Sequence, residues 1–183
     1  GDLDLVTAAR SSGGSDTIIW FASDGGATRT FTEAGSGGSF LTHIDIADVN
    51  LDGLPDVVFL GGSGVRWVRA TSTGELVEDH GFIAFLSGDA KSIVMADAGT
   101  GTQDVYIAAT NGNGLVRAPR IASNEFGPHT YVTGRPVDLS NVVFDLDGDG
   151  DQDIVSGDEH ILNEGDGTFA TTGRAPRAGR LGA

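Results

Sequence analysis

The sequence predicts an all-β fold of about four propeller-type blades, each of four antiparallel strands. Three observations lead there: a repeat of roughly 48 residues, strand-like runs that recur in register within it, and glycine-rich turns between the runs. The repeat is marked by an aspartate opening a β-branched or apolar run, at Asp4-Leu5-Val6, Asp56-Val57-Val58-Phe59, Asp104-Val105-Tyr106-Ile107 and Asp153-Ile154-Val155. These aspartates are spaced 52, 48 and 49 residues apart. No segment carries a convincing helical period, which leaves strands as the building material.

Each marked run is expected to be the second strand of its unit. The first strands are Ile44 to Asp48, Ile93 to Asp97 and Val142 to Asp145, in matching register and separated from the second by an acidic loop. Third strands are expected at Ile18 to Phe21, Val65 to Val68, Leu115 to Val116 and Ile161 to Leu162. A fourth strand is expected at Arg29 to Thr32 and at Thr168 to Thr171. Gly61 to Gly64, Asn111 to Gly114 and Gly165 to Gly167 supply the backbone freedom that tight hairpins need. The whole chain, 1–183, reads as one repeat domain with blades at 1–38, 39–88, 89–135 and 136–173, and a tail at 174–183.

Composition narrows the function classes. Eleven basic residues against 26 acidic ones give a net charge of −15, so a nucleic acid would be repelled. No apolar run approaches the roughly 20 residues of a membrane-spanning helix. With no cysteine, disulfides and thiolate metal sites are excluded while the compartment stays open. The start, Gly1-Asp2-Leu3-Asp4, has neither an initiator Met nor an export segment, and reads as processed or as part of something longer.

Much of the acidity is concentrated in two loops, and clustered carboxylates repel one another unless a cation lies among them. Asp145-Leu146-Asp147-Gly148-Asp149-Gly150-Asp151-Gln152-Asp153 places an aspartate at every second position, with Gly150 allowing the sharp turn. Alternation in a curling loop aims several oxygens at one centre, as Ca²⁺ requires. The expected ligands are the side chains of Asp145, Asp147, Asp149 and Asp153 and the carbonyl of Asp151. The loop Asp48-Val49-Asn50-Leu51-Asp52-Gly53-Leu54-Pro55-Asp56 repeats the pattern, with Asp48, Asn50, Asp52, Asp56 and the carbonyl of Leu54 as ligands. Two Ca²⁺ sites are therefore expected. Phe59 and Ser156 stand where an EF-hand carries its glutamate, and a strand follows each loop, so these are not EF-hands. The loop from Asp97 to Asp104 is one residue shorter and lacks the middle carboxylates, and little or no calcium is expected there.

An Asp-x-Asp/Asn-x-Asp-Gly-x-x-Asp loop between two strands resembles the FG-GAP and VCBS repeats of integrin α-subunit-like β-propellers. The resemblance implies that Ca²⁺ sits in the hairpin loop between the first two strands of a blade. It also implies a ring larger than four blades, so that either the tail completes the first blade or the ring is incomplete; the incomplete ring is preferred here.

The expected function is that of a calcium-binding propeller module mediating protein binding or adhesion, in an extracellular or secretory-pathway setting. Two alternatives are an accessory subunit docked through its blade surface and a carbohydrate-binding lectin or carbohydrate-active enzyme. Trp20 and Trp67 occupy corresponding third strands, where an indole can stack on a sugar or fill the space between blades. Catalysis is not expected. His43, His80, His129 and His160 recur at no common repeat position, and His160 beside Asp158 and Glu159 reads as a solvated turn before it reads as an acid/base cluster.

Overall fold

The computed structural model describes residues 4–10, 16–21, 28–32, 41–61, 64–73, 75–84, 90–109, 114–132, 141–156 and 159–174. The first sheet is three-stranded, from β1 (Leu5–Arg10), β2 (Asp16–Phe21) and β3 (Arg29–Thr32) in that order. The second is a four-stranded meander, β4 (His43–Ala47), β5 (Asp56–Gly61), β6 (Gly64–Ala70) and β7 (Leu76–Ala84). In the third, β8 (Ala90–Asp97), β9 (Gln103–Ala109) and β10 (Gly114–Ala118) are followed by a small hairpin, β11 (Arg120–Ala122) with β12 (Glu125–Phe126). Only then does β13 (Thr130–Tyr131) return to pair with β10 as the fourth strand. The last sheet is β14 (Asn141–Phe144), β15 (Asp153–Ser156), β16 (Glu159–Asn163) and β17 (Phe169–Arg174). All strand pairs are antiparallel, and no helix occurs among the described residues.

Two details differ from the sequence expectation, and a third falls outside the described residues. The β11–β12 hairpin was not foreseen, because its strands are too short to show alternation. β17 runs one residue beyond the expected blade end at 173. Residues 175–183 lie outside the described residues, and with them the expectation that the tail completes the first blade.

Successive side chains of a strand point to opposite faces of its sheet. In β5, Val57 and Phe59 pack with Ile18 and Trp20 of the first sheet, whereas Val58 and Leu60 pack with Val105 and Ile107 of the third. In β9, the intervening Tyr106 and Ala108 pack with Ile154 and Ile161 of the fourth. The sheets therefore stack face to face in chain order, with an apolar seam between each consecutive pair. This explains why the second strands of the middle blades are unbroken apolar runs, since both of their faces are buried. Trp20 and Trp67 are buried, at 4% and 2% exposure, one in each of the first two seams.

The aspartate that opens each of β5 and β15 is the latch that holds the acidic loop to its blade. Asp56 is fully buried and accepts hydrogen bonds from the N–H of Val49 (3.0 Å), in the loop, and of Ala70 (3.0 Å), at the end of β6. Asp153 repeats this with Leu146 (2.7 Å) and Asn163 (2.8 Å). Asp104 accepts a similarly placed N–H from Arg120 (2.7 Å), just beyond the end of β10, but its loop is a residue shorter. Its other oxygen instead takes the guanidinium of Arg117 at 2.6 Å. A buried carboxylate left without such donors would cost several kcal/mol.

Two residues in each loop adopt the left-handed conformation. They are Leu51 (φ 61°) and Gly53 (φ 84°) in the second blade, Gly99 (81°) and Gly101 (77°) in the third, and Gly148 (84°) and Gly150 (102°) in the fourth. Leu51 is the single non-glycine residue with positive φ among those described. A side chain in this conformation costs roughly 1–2 kcal/mol.

Three outcomes test this account, all by urea denaturation without added metal. Gly148→Ala should cost about 1 kcal/mol and Leu51→Gly should gain up to about 1 kcal/mol, the strain being partly offset by the unfolded-state entropy of glycine. No heavy atom lies within 4 Å of a Cβ built at Gly148, so its cost is conformational alone. Arg117→Met should cost about 3 kcal/mol, because it strips a buried carboxylate of its charged partner. A loss well under 1 kcal/mol would mean that the Arg120 N–H suffices to hold Asp104.

Candidate metal centre

The loop between β14 and β15 is shaped by its own backbone N–H groups folding onto its carboxylates. Asp145 accepts from Gly148 (2.7 Å) and Gly150 (3.1 Å), and Asp149 accepts from Asp151 (2.9 Å). A longer contact of 3.3 Å joins the Asp149 N–H to Asp147. The result is that carboxylate oxygens of Asp145, Asp147 and Asp149 lie within 4.8 Å of one another, all three residues being exposed. Oxygens at about 2.4 Å on opposite sides of a shared Ca²⁺ are about 4.8 Å apart, so this spacing suits that ion. The donor set is all hard oxygen, with no His or Cys in the loop, which disfavours zinc.

Asp153 is placed differently from its three neighbours. Its two oxygens face the N–H groups of Leu146 and Asn163 inside the blade. Each carboxylate oxygen keeps a second lone pair, so the latch leaves room for a further contact on the loop side. Asp147 is held above the usual carboxylate range, first by desolvation and then by the charges of Asp149, Asp153 and Asp145. Asp151 is half-buried, with its side chain directed toward Gly165 in the β16–β17 turn. The latch and the oxygen cluster are thus adjacent layers of one loop.

The loop between β4 and β5 uses the same turns with different chemistry. Asp48 accepts from the N–H of Asp52 (3.0 Å) and of Gly53 (2.8 Å). Asn50 accepts from the Asp52 N–H (2.9 Å) and donates its amide to the Asp52 carboxylate (2.9 Å), while Asp52 accepts from the Leu54 N–H (2.9 Å). Oxygens of Asp48 and Asn50 therefore meet on one N–H. Asp56 lies beneath them, and its burial pushes its pKa up to about 6 against the opposing pull of backbone N–H groups.

A neighbouring blade reaches this loop through Arg120, which the sequence reading did not single out. Its guanidinium donates to the carbonyl of Val49, at longer range to that of Asp48 (3.4 Å), and to Gln103 (3.0 Å) and Ser123 (2.6 Å) in its own blade. It also lies 4.9 Å from the ring centre of Phe126, so the inserted hairpin holds it in place. Burial lowers its pKa, opposed by the charges of Asp104, Asp48 and Asp56. At the following seam the corresponding tie is Asn163, which donates to the carbonyls of Asp97 (3.1 Å) and Gln152 (3.2 Å). Gln152, inside the last loop, accepts in turn from the Asp97 N–H at 3.1 Å. The only sequence signal for these contacts is an arginine just beyond a third strand in so acidic a chain.

In the loop from Asp97 to Asp104, Asp97 accepts from Thr100 (2.9 Å) and Gly101 (3.0 Å), which reproduces the turn. With Gly99 and Gly101 at the two left-handed positions, Ala98 and Thr100 stand where the other loops carry Asn50 and Asp52 or Asp147 and Asp149, so the shape is kept and the charge is not. His160 lies within β16 opposite Val155, and Glu159 opposite Ser156. Asp158 falls outside the described residues.

Comparison with known proteins agrees with this architecture. Residues 1–59, which include the first acidic loop, match the family described as FG-GAP-like repeat. No curated protein matches. Among solved structures, the chain is similar to an Agrocybe aegerita lectin described as recognising non-reducing terminal N-acetylglucosamine, at TM-score 0.54 and 22% identity. The match covers 91% of this chain and 50% of the lectin chain. A Photorhabdus luminescens Tc holotoxin pore is similar at TM-score 0.47 and 19% identity, over 88% of this chain and 9% of that one. The chain thus spans half the length of the lectin it superposes on. It is an all-β protein with propeller-type antiparallel sheets, and its first 59 residues match the FG-GAP-like repeat family.

Proposed function

We propose that this chain is a propeller-type binding module whose loops 48–56 and 145–153 each take one Ca²⁺ ion. The observation that carries the reading is the convergence of Asp145, Asp147 and Asp149 oxygens to within 4.8 Å in an exposed loop. In that loop these three side chains and the carbonyl of Asp151 would hold the ion, with Asp153 behind them and water completing the shell. In the other loop, Asp48, Asn50, Asp52, the carbonyl of Leu54 and Asp56 would do so, with one carboxylate fewer and Arg120 close by. Calcium supplies charge neutralisation and rigidity rather than chemistry, because it relieves the repulsion that the apo loop carries.

What the module binds is read as protein, through blade surfaces and loops, in adhesion or as part of a larger assembly. Both tryptophans are buried within seams, which removes them as sugar-stacking platforms and leaves the glycan reading without that support. A setting rich in calcium, outside the cell or in the secretory lumen, would saturate even modest sites.

Calorimetric titration with Ca²⁺ should give two sites in the wild-type chain. Asp147→Ala and Asp149→Ala should each weaken one of them by about tenfold or more, while Asp97→Ala leaves both intact. Chelation should lower the melting temperature of the wild type, since an ion at 100 times its Kd contributes about 2.7 kcal/mol. Equal losses at all three positions, or no heat of binding at all, would defeat the proposal.

Proton competition supplies a second check. Asp56 titrates at about 6 and Asp147 is raised above the usual range, whereas Ca²⁺ binds the ionised forms. Lowering the pH through the range of Asp56 should therefore weaken calcium at 48–56 and release protons on binding. Without metal the sign reverses. The folded pKa of Asp56 exceeds the reference value of 3.8, so its contribution to stability is complete below about 3.8 and is lost as pH rises through about 6. Asp56→Asn should flatten that region of the stability profile. A pH-independent affinity would count against Asp56 as a member of the site.

A further inference from the structure

At every interior seam the same two surfaces meet. The residue after each latch aspartate points to the preceding blade, as Val57, Val105 and Ile154 do, and the next residue points to the following blade, as Val58 and Tyr106 do. The two terminal sheets each keep one of these surfaces uncovered. On the first sheet it is Leu5, Ile19 and Phe21, of which Leu5 and Phe21 are 62% and 43% exposed. On the fourth it is Val142, Phe144 and Val155, with Val142 and Phe144 at 54% and 43%. Among the described residues, nine large hydrophobics are exposed, and four of them lie on these two faces, which is concentration rather than scatter. Among the described residues, neither of these two faces is covered by another blade.

We propose that these two faces are the halves of an intermolecular seam whose occupant is a second copy of this chain. The fourth blade of each copy packs on the first blade of the other, and two copies close one ring of eight blades. The seam continues an interface that the molecule already makes three times, between surfaces at the same repeat positions. Closure matters because a single head-to-tail contact would leave one apolar face bare at each end, whereas a two-fold ring buries all four at once. Eight blades lies within the range that propellers adopt. The interface needs no metal, so it stands or falls separately from calcium binding.

Sedimentation equilibrium of the wild-type chain at about 1–100 μM, the range in which an interface of this class associates, tests it. The expected particle has twice the chain mass. Leu5→Lys and Phe144→Asp, both at exposed positions, should each weaken association by about thirtyfold or more without changing the circular dichroism spectrum. Mixing these two variants should restore a one-to-one dimer, because one unaltered seam remains and the two altered faces carry opposite charge. Ile121→Lys, on the inserted hairpin, should leave the wild-type dimer unchanged. A monomeric wild type, a dimer indifferent to Leu5→Lys or to Phe144→Asp, failure of the mixture to associate, or a ladder of larger oligomers would each overturn the proposal.

Discussion

A sheet of four short strands has two faces and no interior, so neither face can leave water until a second sheet covers it. That constraint organises the chain. Val58 and Leu60 cannot be buried without the third blade, nor Val57 and Phe59 without the first, so each blade depends on its neighbours for its core. At about 1.5–3 kcal/mol for each fully buried large apolar side chain, the seams hold the main favourable free energy of the fold. Antiparallel meanders with strand partners close in sequence then place the loop between the first two strands of each blade at a corresponding position.

The seams set where the loops are, and the buried aspartates set their shape. A carboxylate at the start of the second strand satisfies an N–H in the loop and another at the end of the third strand, which joins three segments at one point. The third blade shows how strict the requirement is. Its loop is one residue shorter, and the oxygen that a loop N–H would have satisfied is met by Arg117, which also donates to the Gly167 carbonyl in the next blade at 2.7 Å. Burying a carboxylate is tolerable only with donors in place, so losing one donor required another.

Seam and loop are not independent. Arg120 ties the third blade to carbonyls of the loop 48–56, and Asn163 and Gln152 tie the fourth to the loop that begins at Asp97. An ion that rigidifies a loop would thus also favour the contact between the two blades that meet there. The loop 48–56 carries a nearby guanidinium and two carboxylates fewer than the loop 145–153, so the two are electrostatically unequal although their motifs align.

Read alone, the sequence determined what is local and periodic in this protein. The repeat spacing, the positions of the second and third strands and the two acidic loops follow from side-chain alternation and from charge clusters that no solvated turn requires. Alternation cannot say which face meets which blade, nor reveal strands of two or three residues, so β11, β12 and β13 went unseen. The split of each acidic motif was likewise decided only by tertiary structure. Asp145, Asp147 and Asp149 stay in solvent with their oxygens converging, while Asp153, of the same residue type, is turned inward by the N–H groups of Leu146 and of Asn163, ten positions further along the chain. A carboxylate goes to where donors await it, and those donors arrive only when strands distant in sequence are packed.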